Sequence, residues 1–202
     1  MAGGDWAVVH EAETAEEAFS MIRKIDPRWA IICHPAITQW ANAKYAPVQE
    51  PYVSRHQFLD EKLPKKLVSW RDNQLLMDMA DRPQSLILWG STRLGKTQWA
   101  CSLGTHNYFN SNFNFKQWDP DAKLCIIDDF RWEYFKHDHH HFVALKVLLW
   151  GQEQVDMTDK YMPKFTIKGM PCIFICNELP AIFSDSNWEK NVIVQHVRNK
   201  LY

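Results

Sequence analysis

Short apolar runs recur through the second half of the chain, and each of them stops at a glycine or a polar residue. Such runs are typical of strands buried on both faces of a parallel sheet, and helical segments separate several of them. The pattern therefore predicts an α/β fold with a central, mostly parallel sheet. The runs are Leu86–Trp89, Leu124–Ile127, Cys172–Cys176 and Val192–Val194, with a shorter strand predicted at Thr105–Phe109.

The first 80 residues follow a helical pattern instead. Thr14-Ala15-Glu16-Glu17 is a capping box, and apolar residues at helical spacing follow it until Asp26-Pro27 ends the helix. A second helix is predicted from Arg28 to Ala43 and a third from Val68 to Met79. We therefore divide the chain into a flexible leader (1–13), a helical domain (14–80) and an α/β domain (81–202).

Composition limits the class of protein. The 202 residues are 46% hydrophobic and 23% charged, which is typical of a globular protein, and a formal net charge of −1 means that any polyanion must bind through a local basic patch. The five cysteines form no Cys-x-x-Cys pair and mostly lie in apolar runs, which favours a reducing compartment. No apolar run is long enough to cross a bilayer. We expect a cytoplasmic or nuclear protein with no membrane association.

The stretch that follows the first apolar run has the phosphate-binding pattern Gly-x-x-x-x-Gly-Lys-[Ser/Thr]. Its glycines allow backbone N–H groups to point at phosphate oxygens, its lysine reaches the β- and γ-phosphates, and its hydroxyl can bind Mg²⁺. A glycine turn with an exposed lysine is the alternative, but the strand before the motif and the helix after it favour a nucleotide site. The predicted binding residues are Gly90, Ser91, Thr92, Arg93, Leu94, Gly95, Lys96, Thr97 and Gln98.

Polar residues at the ends of two later strands complete the predicted site. Asp128 and Asp129 follow one apolar run and Asn177 follows another. Parallel strands deliver such residues to the edge of the sheet that carries the phosphate loop. In this interpretation Asp128 binds Mg²⁺, Asp129 polarises the attacking water, and Asn177 orients that water. Paired acids also occur in ordinary turns at strand ends.

A polar segment between residues 152 and 168 predicts a hairpin that carries lysines and aromatic residues. Amines can pair with phosphates while rings stack on bases, so this composition suits single-stranded DNA. A solvated hairpin is the alternative, and the nearby carboxylates favour it. The predicted DNA-binding residues are Lys160, Tyr161, Lys164 and Lys168.

The phosphate-binding motif, the acidic pair, the lysine hairpin and Asn177 follow one another along the chain. Motifs in this order resemble those of superfamily 3 helicases, specifically the ATPase part of the Rep proteins of circular single-stranded DNA viruses. The geminivirus and genomovirus branch is the most similar. The resemblance covers about residues 80–196, and the helical region from Thr14 is loosely similar to the family's oligomerisation segment. The matching stretches are Gly90–Ala100, Ser102–Tyr108, Ile126–Asp129 and Ile173–Asn177.

The resemblance implies an AAA+-like P-loop core that forms a hexameric or similar ring, hydrolyses ATP with Mg²⁺ between subunits and moves single-stranded DNA through its pore. By position, Lys96 and Thr97 match Walker A, Asp128 and Asp129 match Walker B, and Asn177 matches motif C. Lys160 and Lys164 match the B-prime hairpin, although Met162-Pro163 interrupts a lysine run that is denser in geminivirus-like proteins. No single arginine finger is indicated among Arg93, Arg131 and Arg198.

We therefore expect an ATP-dependent DNA helicase of rolling-circle replication that acts in the host nucleus. The family's nicking endonuclease domain has no counterpart before Thr14, so it would act in cis from a longer chain or in trans. Two alternatives remain: a P-loop nucleotide kinase, and a nucleic-acid-binding oligomer in which nucleotide only sets the assembly state.

Overall fold

The computed structural model describes residues 6–45, 52–111, 113, 115, 118–130, 145–157, 165–184 and 186–202. The chain divides into two compact units, residues 1–50 and 51–202. No helix in the described ranges is long and apolar enough to cross a membrane.

The described residues of the first unit form three α-helices, α1 (Ala15–Ile25), α2 (Pro27–Ile32) and α3 (His34–Lys44). The predicted capping box is present in part, because the Thr14 hydroxyl accepts the N–H of Glu17 at 3.1 Å, whereas the Glu17 carboxylate accepts from the N–H of Glu13. Asp26 ends α1, and its side chain caps α2 by accepting the N–H of Trp29.

Two predictions for this unit were wrong. The single helix expected from Arg28 to Ala43 is broken at Cys33, because Pro35 follows in the first turn of α3 and has no N–H to donate to the preceding helix. Residues 6–13 of the predicted flexible leader are held in this unit instead. Trp6–Glu11 form a 3₁₀ helix, and Val9 and Ala12 are buried in the same core as Ala18 and Ile22.

The second unit is built on a five-stranded parallel sheet, as the apolar runs predict. The strands of this unit are β1 Ser85–Trp89, β2 His106–Asn110, β3 Leu124–Asp128, β4 Gln154–Met157, β5 Phe165–Lys168, β6 Cys172–Cys176 and β7 Val192–His196. The strands of the sheet lie in the order β2, β3, β6, β1, β7. The other two, β4 and β5, form a separate antiparallel hairpin.

Both faces of the sheet are covered. Along β1, Leu86 and Leu88 pack on one side, whereas Ile87 packs on the other, as the two-residue period of a strand requires. The first side is closed by helices α4 (Lys65–Asn73) and α5 (Lys96–Cys101), and the second by residues 145–149, which are helical, and by the hairpin. Central strands buried in this way place only their ends near solvent.

The division at residues 50 and 51 differs from the domain boundary predicted at 80 and 81. Leu67 and Trp70 of α4 are completely buried in the core beneath the sheet, and the Trp70 indole donates to the carbonyl of Gln84 at 2.7 Å. The helix runs from Lys65 to Asn73 and not from Val68 to Met79, and a separate 3₁₀ turn follows at Met79–Asp81. The segment from 52 to 80 thus packs with the α/β unit.

This packing predicts that Trp70→Ala lowers the free energy of unfolding by about 3–5 kcal/mol, because it removes a fully buried ring and a hydrogen bond to the chain just before β1. Leu76→Ala is the matched control, since Leu76 is 79% exposed and its loss should change stability by less than about 0.5 kcal/mol. Urea denaturation of the full chain measures both. Equal, small effects would mean that α4 is not part of the α/β core.

Candidate nucleotide-binding site

The site lies where three neighbouring strands of the sheet end. Trp89 at the end of β1 pairs with Cys176 at the end of β6, and Asp128 at the end of β3 pairs with Ile175 of β6. Two backbone hydrogen bonds extend this pairing past the strand ends, from Gly90 N–H to Cys176 and from Asp129 N–H to Ile175. The loop with the predicted phosphate-binding motif (Gly90–Thr97, called the phosphate loop below), the acidic pair and Asn177 therefore leave the sheet side by side.

The loop after β1 adopts a conformation that requires its glycines. Gly90 and Gly95 have φ angles of +143° and +88°. A Cβ atom on Gly90 would lie 2.2 Å from the carbonyl oxygen of Val197, and one on Gly95 would lie 2.9 Å from the ring of Tyr202. Arg93 also has a positive φ, of +62°. The loop thus turns sharply and leads directly into α5.

Lys96 is the best-enclosed cation of the site, with 6% of its surface exposed. Its Nζ donates to the carbonyls of Gly90 at 2.6 Å and Ser91 at 2.8 Å, and to Oδ1 of Asn177 at 3.4 Å. Burial lowers the pKa of Lys96, and the negative charge of Asp128 partly opposes that shift. Three neutral acceptors hold an ammonium group that an anion would stabilise better.

Thr97 and Asp128 form the second contact across the site. The Thr97 hydroxyl donates to Oδ2 of Asp128 at 2.8 Å, and the Tyr108 hydroxyl donates to the same oxygen at 2.9 Å. Burial is the main cause that raises the pKa of Tyr108 to about 12, so this phenol stays protonated and keeps donating. Asp128 is 8% exposed, so the two hydroxyls stabilise a nearly buried carboxylate.

These oxygens fit a magnesium ion that is shared with phosphates. Mg²⁺ typically takes one or two protein ligands and completes its shell with water and substrate oxygens. One carboxylate and one hydroxyl, 2.8 Å apart, meet that requirement. No group of three or more His, Cys, Asp or Glu side chains suited to a metal occurs in the described ranges.

Asp129 differs from Asp128 in both exposure and backbone. It is exposed and has a φ of +52°, a conformation that few residues other than glycine adopt. Its backbone is held by Ile175, which accepts its N–H at 3.2 Å, and by the Ser111 hydroxyl, which donates to its carbonyl at 3.3 Å. Strained residues of this kind often lie at functional sites.

A cavity of about 530 Å³ joins these groups. That volume lies within the range of small-molecule sites. The predicted residues Thr92–Gln98, Asp128, Asp129 and Asn177 all line it, while Gly90 and Ser91 contribute by holding Lys96. The other lining residues are His56, Asn110, Ile175, Cys176 and Tyr202.

The lining or contacting residues that no sequence motif indicates include Tyr108, His56 and Tyr202. Tyr108 is an outward-facing residue of β2, which is exposed at alternate positions, and only the pairing of β2 with β3 brings it to Asp128. A polar residue at an alternate position of an edge strand was the one available signal. His56 and Tyr202 lie outside any motif.

Of the predicted DNA-binding residues, the structure describes Lys168. Lys160, Tyr161 and Lys164 lie outside the described residues. Lys168 is exposed on β5, where it pairs with Gln154, and it does not line the cavity. The antiparallel hairpin itself is confirmed.

Comparisons with known proteins agree with the motifs. Residues 5–99 match the family described as the Geminivirus rep protein central domain. These findings support a geminivirus-like Rep. The match ends just after the phosphate loop, so the later strands and their polar residues are compared only with individual relatives.

Several viral replication-associated proteins are similar along most of the chain. The protein of Bean yellow dwarf virus is 36% identical over 84% of the chain and 50% of its own length. Those of Tobacco yellow dwarf virus and Cabbage leaf curl virus are 33% and 32% identical, over 92% and 91% of the chain and 52% and 55% of their own lengths. The chain thus spans about half the length of the curated relatives it matches.

The burial of Cys176 predicts that its thiol reacts slowly. Burial raises the pKa of Cys176, which lies between Ile175 and Asn177, to about 12, although the Lys96 charge opposes the shift. At pH 8 only about one in 10,000 Cys176 side chains is then a thiolate, which is the form that reacts. A maleimide should therefore modify Cys176 at least about 100-fold more slowly than the half-buried Cys33. Peptide mass spectrometry of the native protein measures both rates. Comparable modification rates for Cys176 and Cys33 would contradict the burial of Cys176 at the end of β6.

Proposed function

We propose that this chain is the ATPase and helicase part of a viral Rep protein, which binds ATP with Mg²⁺ and uses its hydrolysis to move along single-stranded DNA during viral replication. The observation that supports this proposal best is the convergence of Lys96, Thr97, Asp128 and Asn177 on one cavity. The similarity to viral replication-associated proteins supplies the biological setting.

Binding of ATP would exchange the present partners of Lys96 for phosphate oxygens. Its Nζ now donates to two loop carbonyls, which are weaker partners for a buried ammonium than a phosphate is. Thr97 and Asp128 would hold Mg²⁺, which neutralises developing phosphate charge when it is bound. Both side chains already contact each other, so little rearrangement is needed to present two oxygens together.

Hydrolysis also requires a positioned water. Asn177 can accept and donate hydrogen bonds, and it lies at the end of the strand between the phosphate loop and the acidic pair. We assign it the orienting role and assign Asp129, the exposed carboxylate, the role of polarising the water. Asp128 is already engaged by two hydroxyl donors, which leaves Asp129 freer for proton chemistry.

The DNA and assembly parts of the proposal rest on position in the chain. Lys160, Tyr161 and Lys164 lie between the two strands of the hairpin in the sequence and would contact DNA, together with Lys168 at the end of β5.

The helices of the first unit would support a hexameric or similar ring. Ile31 and Ile32 of α2 are 78% and 65% exposed, as an assembly surface requires. A nicking endonuclease domain would act in cis or in trans, in the host nucleus.

Lys96→Ala should reduce ATP hydrolysis at least about 100-fold, because it removes the cation that faces the phosphates. The fold should persist, since alanine fits α5 and removes a buried charge. Lys190→Ala is the matched control, because Lys190 is exposed and lies outside the cavity. Phosphate release measures turnover and circular dichroism measures the fold. Retained turnover in a folded Lys96→Ala protein would refute the ATPase assignment.

Turnover with and without single-stranded DNA, measured together with particle mass, separates the proposed function from its alternatives. A helicase should show faster turnover with DNA and a ring-sized mass with nucleotide. A nucleotide kinase would transfer phosphate to a small acceptor and ignore DNA. A nucleotide-regulated scaffold would assemble and bind DNA without DNA-stimulated turnover, and either of these results would contradict the helicase.

A further inference from the structure

Two aromatic rings lie against each other at the side of the nucleotide cavity. The imidazole of His56 and the phenol of Tyr202 are stacked, with centroids 3.7 Å apart and planes 8° apart. Both residues are half-buried, and both line the cavity that contains Lys96 and Thr97. The catalytic scheme proposed above uses neither ring.

The pair packs against the phosphate loop. The Tyr202 ring occupies the space where a Cβ of Gly95 would lie, and the backbone N–H of Leu201 donates to the carbonyl of Leu94 at 3.0 Å. Leu201 is 1% exposed and anchors the segment in the core beneath the sheet. Phe58 contacts the Tyr202 ring edge to face, with centroids 6.5 Å apart. These contacts place the stack beside the loop.

The chemistry of the cavity wall changes at this pair. Lys96, Thr97 and Asp128 provide the charged and hydroxyl groups that suit phosphates and their metal ion. His56 and Tyr202 provide flat, partly exposed aromatic surface next to those groups. A nucleoside triphosphate has the same two parts, a charged phosphate chain and a planar base.

We propose that the His56–Tyr202 pair is the base subsite of this cavity, and that a purine base extends the aromatic stack. A purine covers more of the ring surface than a pyrimidine does and therefore stacks more strongly. This inference rests on the proposed ATP site, and it adds residues that no motif includes. Tyr202 belongs to the base subsite, and its ring also lies against Gly95. A base bound at the subsite would therefore be linked to the phosphate loop through this ring.

The test compares Mg²⁺ complexes of ATP, CTP and inorganic tripolyphosphate, which lacks a base, in calorimetric binding to the full chain. Unmodified protein should bind ATP more tightly than CTP. Tyr202→Leu and His56→Ala should each weaken ATP binding about 10-fold or more and leave tripolyphosphate within about twofold. Tyr202→Phe and His56→Phe should keep ATP affinity, because a ring remains in the stack.

Tyr52→Leu is the matched control, since Tyr52 is exposed and contacts His106 instead of the cavity. Unchanged ATP affinity in Tyr202→Leu and His56→Ala would overturn the base subsite and leave the ATP site standing. Equal losses for ATP and tripolyphosphate would also overturn it, because the rings would then serve only to shape the phosphate loop. Failure of the unmodified protein to bind either ligand would refute the ATP site itself, and the base subsite with it.

Discussion

The parallel pairing of β6 between β1 and β3 is the constraint on which the site depends. Because β6 pairs with both neighbours, the residue after it emerges between the phosphate loop and the acidic pair. Asn177 can then reach Lys96 on one side, while Thr97 reaches Asp128 across the same gap. A sheet with β1 and β3 adjacent would leave no position between them for Asn177.

Burial sets the chemistry of the groups that this pairing brings together. Lys96 and Asp128 are charged side chains with less than a tenth of their surface exposed, and each is held by neutral donors or acceptors. Such an arrangement is costly without a ligand, since buried charges favour full compensation by opposite charge. A triphosphate with Mg²⁺ supplies negative charge to the lysine and positive charge to the carboxylate. The contacts of Lys96 and Asp128 therefore suit that combination of ligands.

Much of this arrangement could be predicted from local pattern, and the remainder could not. Apolar runs marked the buried strands, and the glycine and lysine spacing marked the phosphate loop, because both signals lie within a few residues. The contact of Tyr108 with Asp128 depends on which strands pair, and no local pattern contains that information. The stacking of His56 on Tyr202 joins two distant segments and is equally invisible in sequence. The break at Cys33 was missed because helical periodicity outweighed Pro35.

The most direct test of the central claim is a crystal structure of the protein with Mg²⁺ and a non-hydrolysable ATP analogue. We expect a β- or γ-phosphate oxygen within about 3 Å of Lys96 Nζ, and the Thr97 hydroxyl on the metal instead of on Asp128. A nucleotide bound elsewhere, or a phosphate chain that leaves Lys96 on its present carbonyls, would contradict the assignment of this cavity as an ATP site.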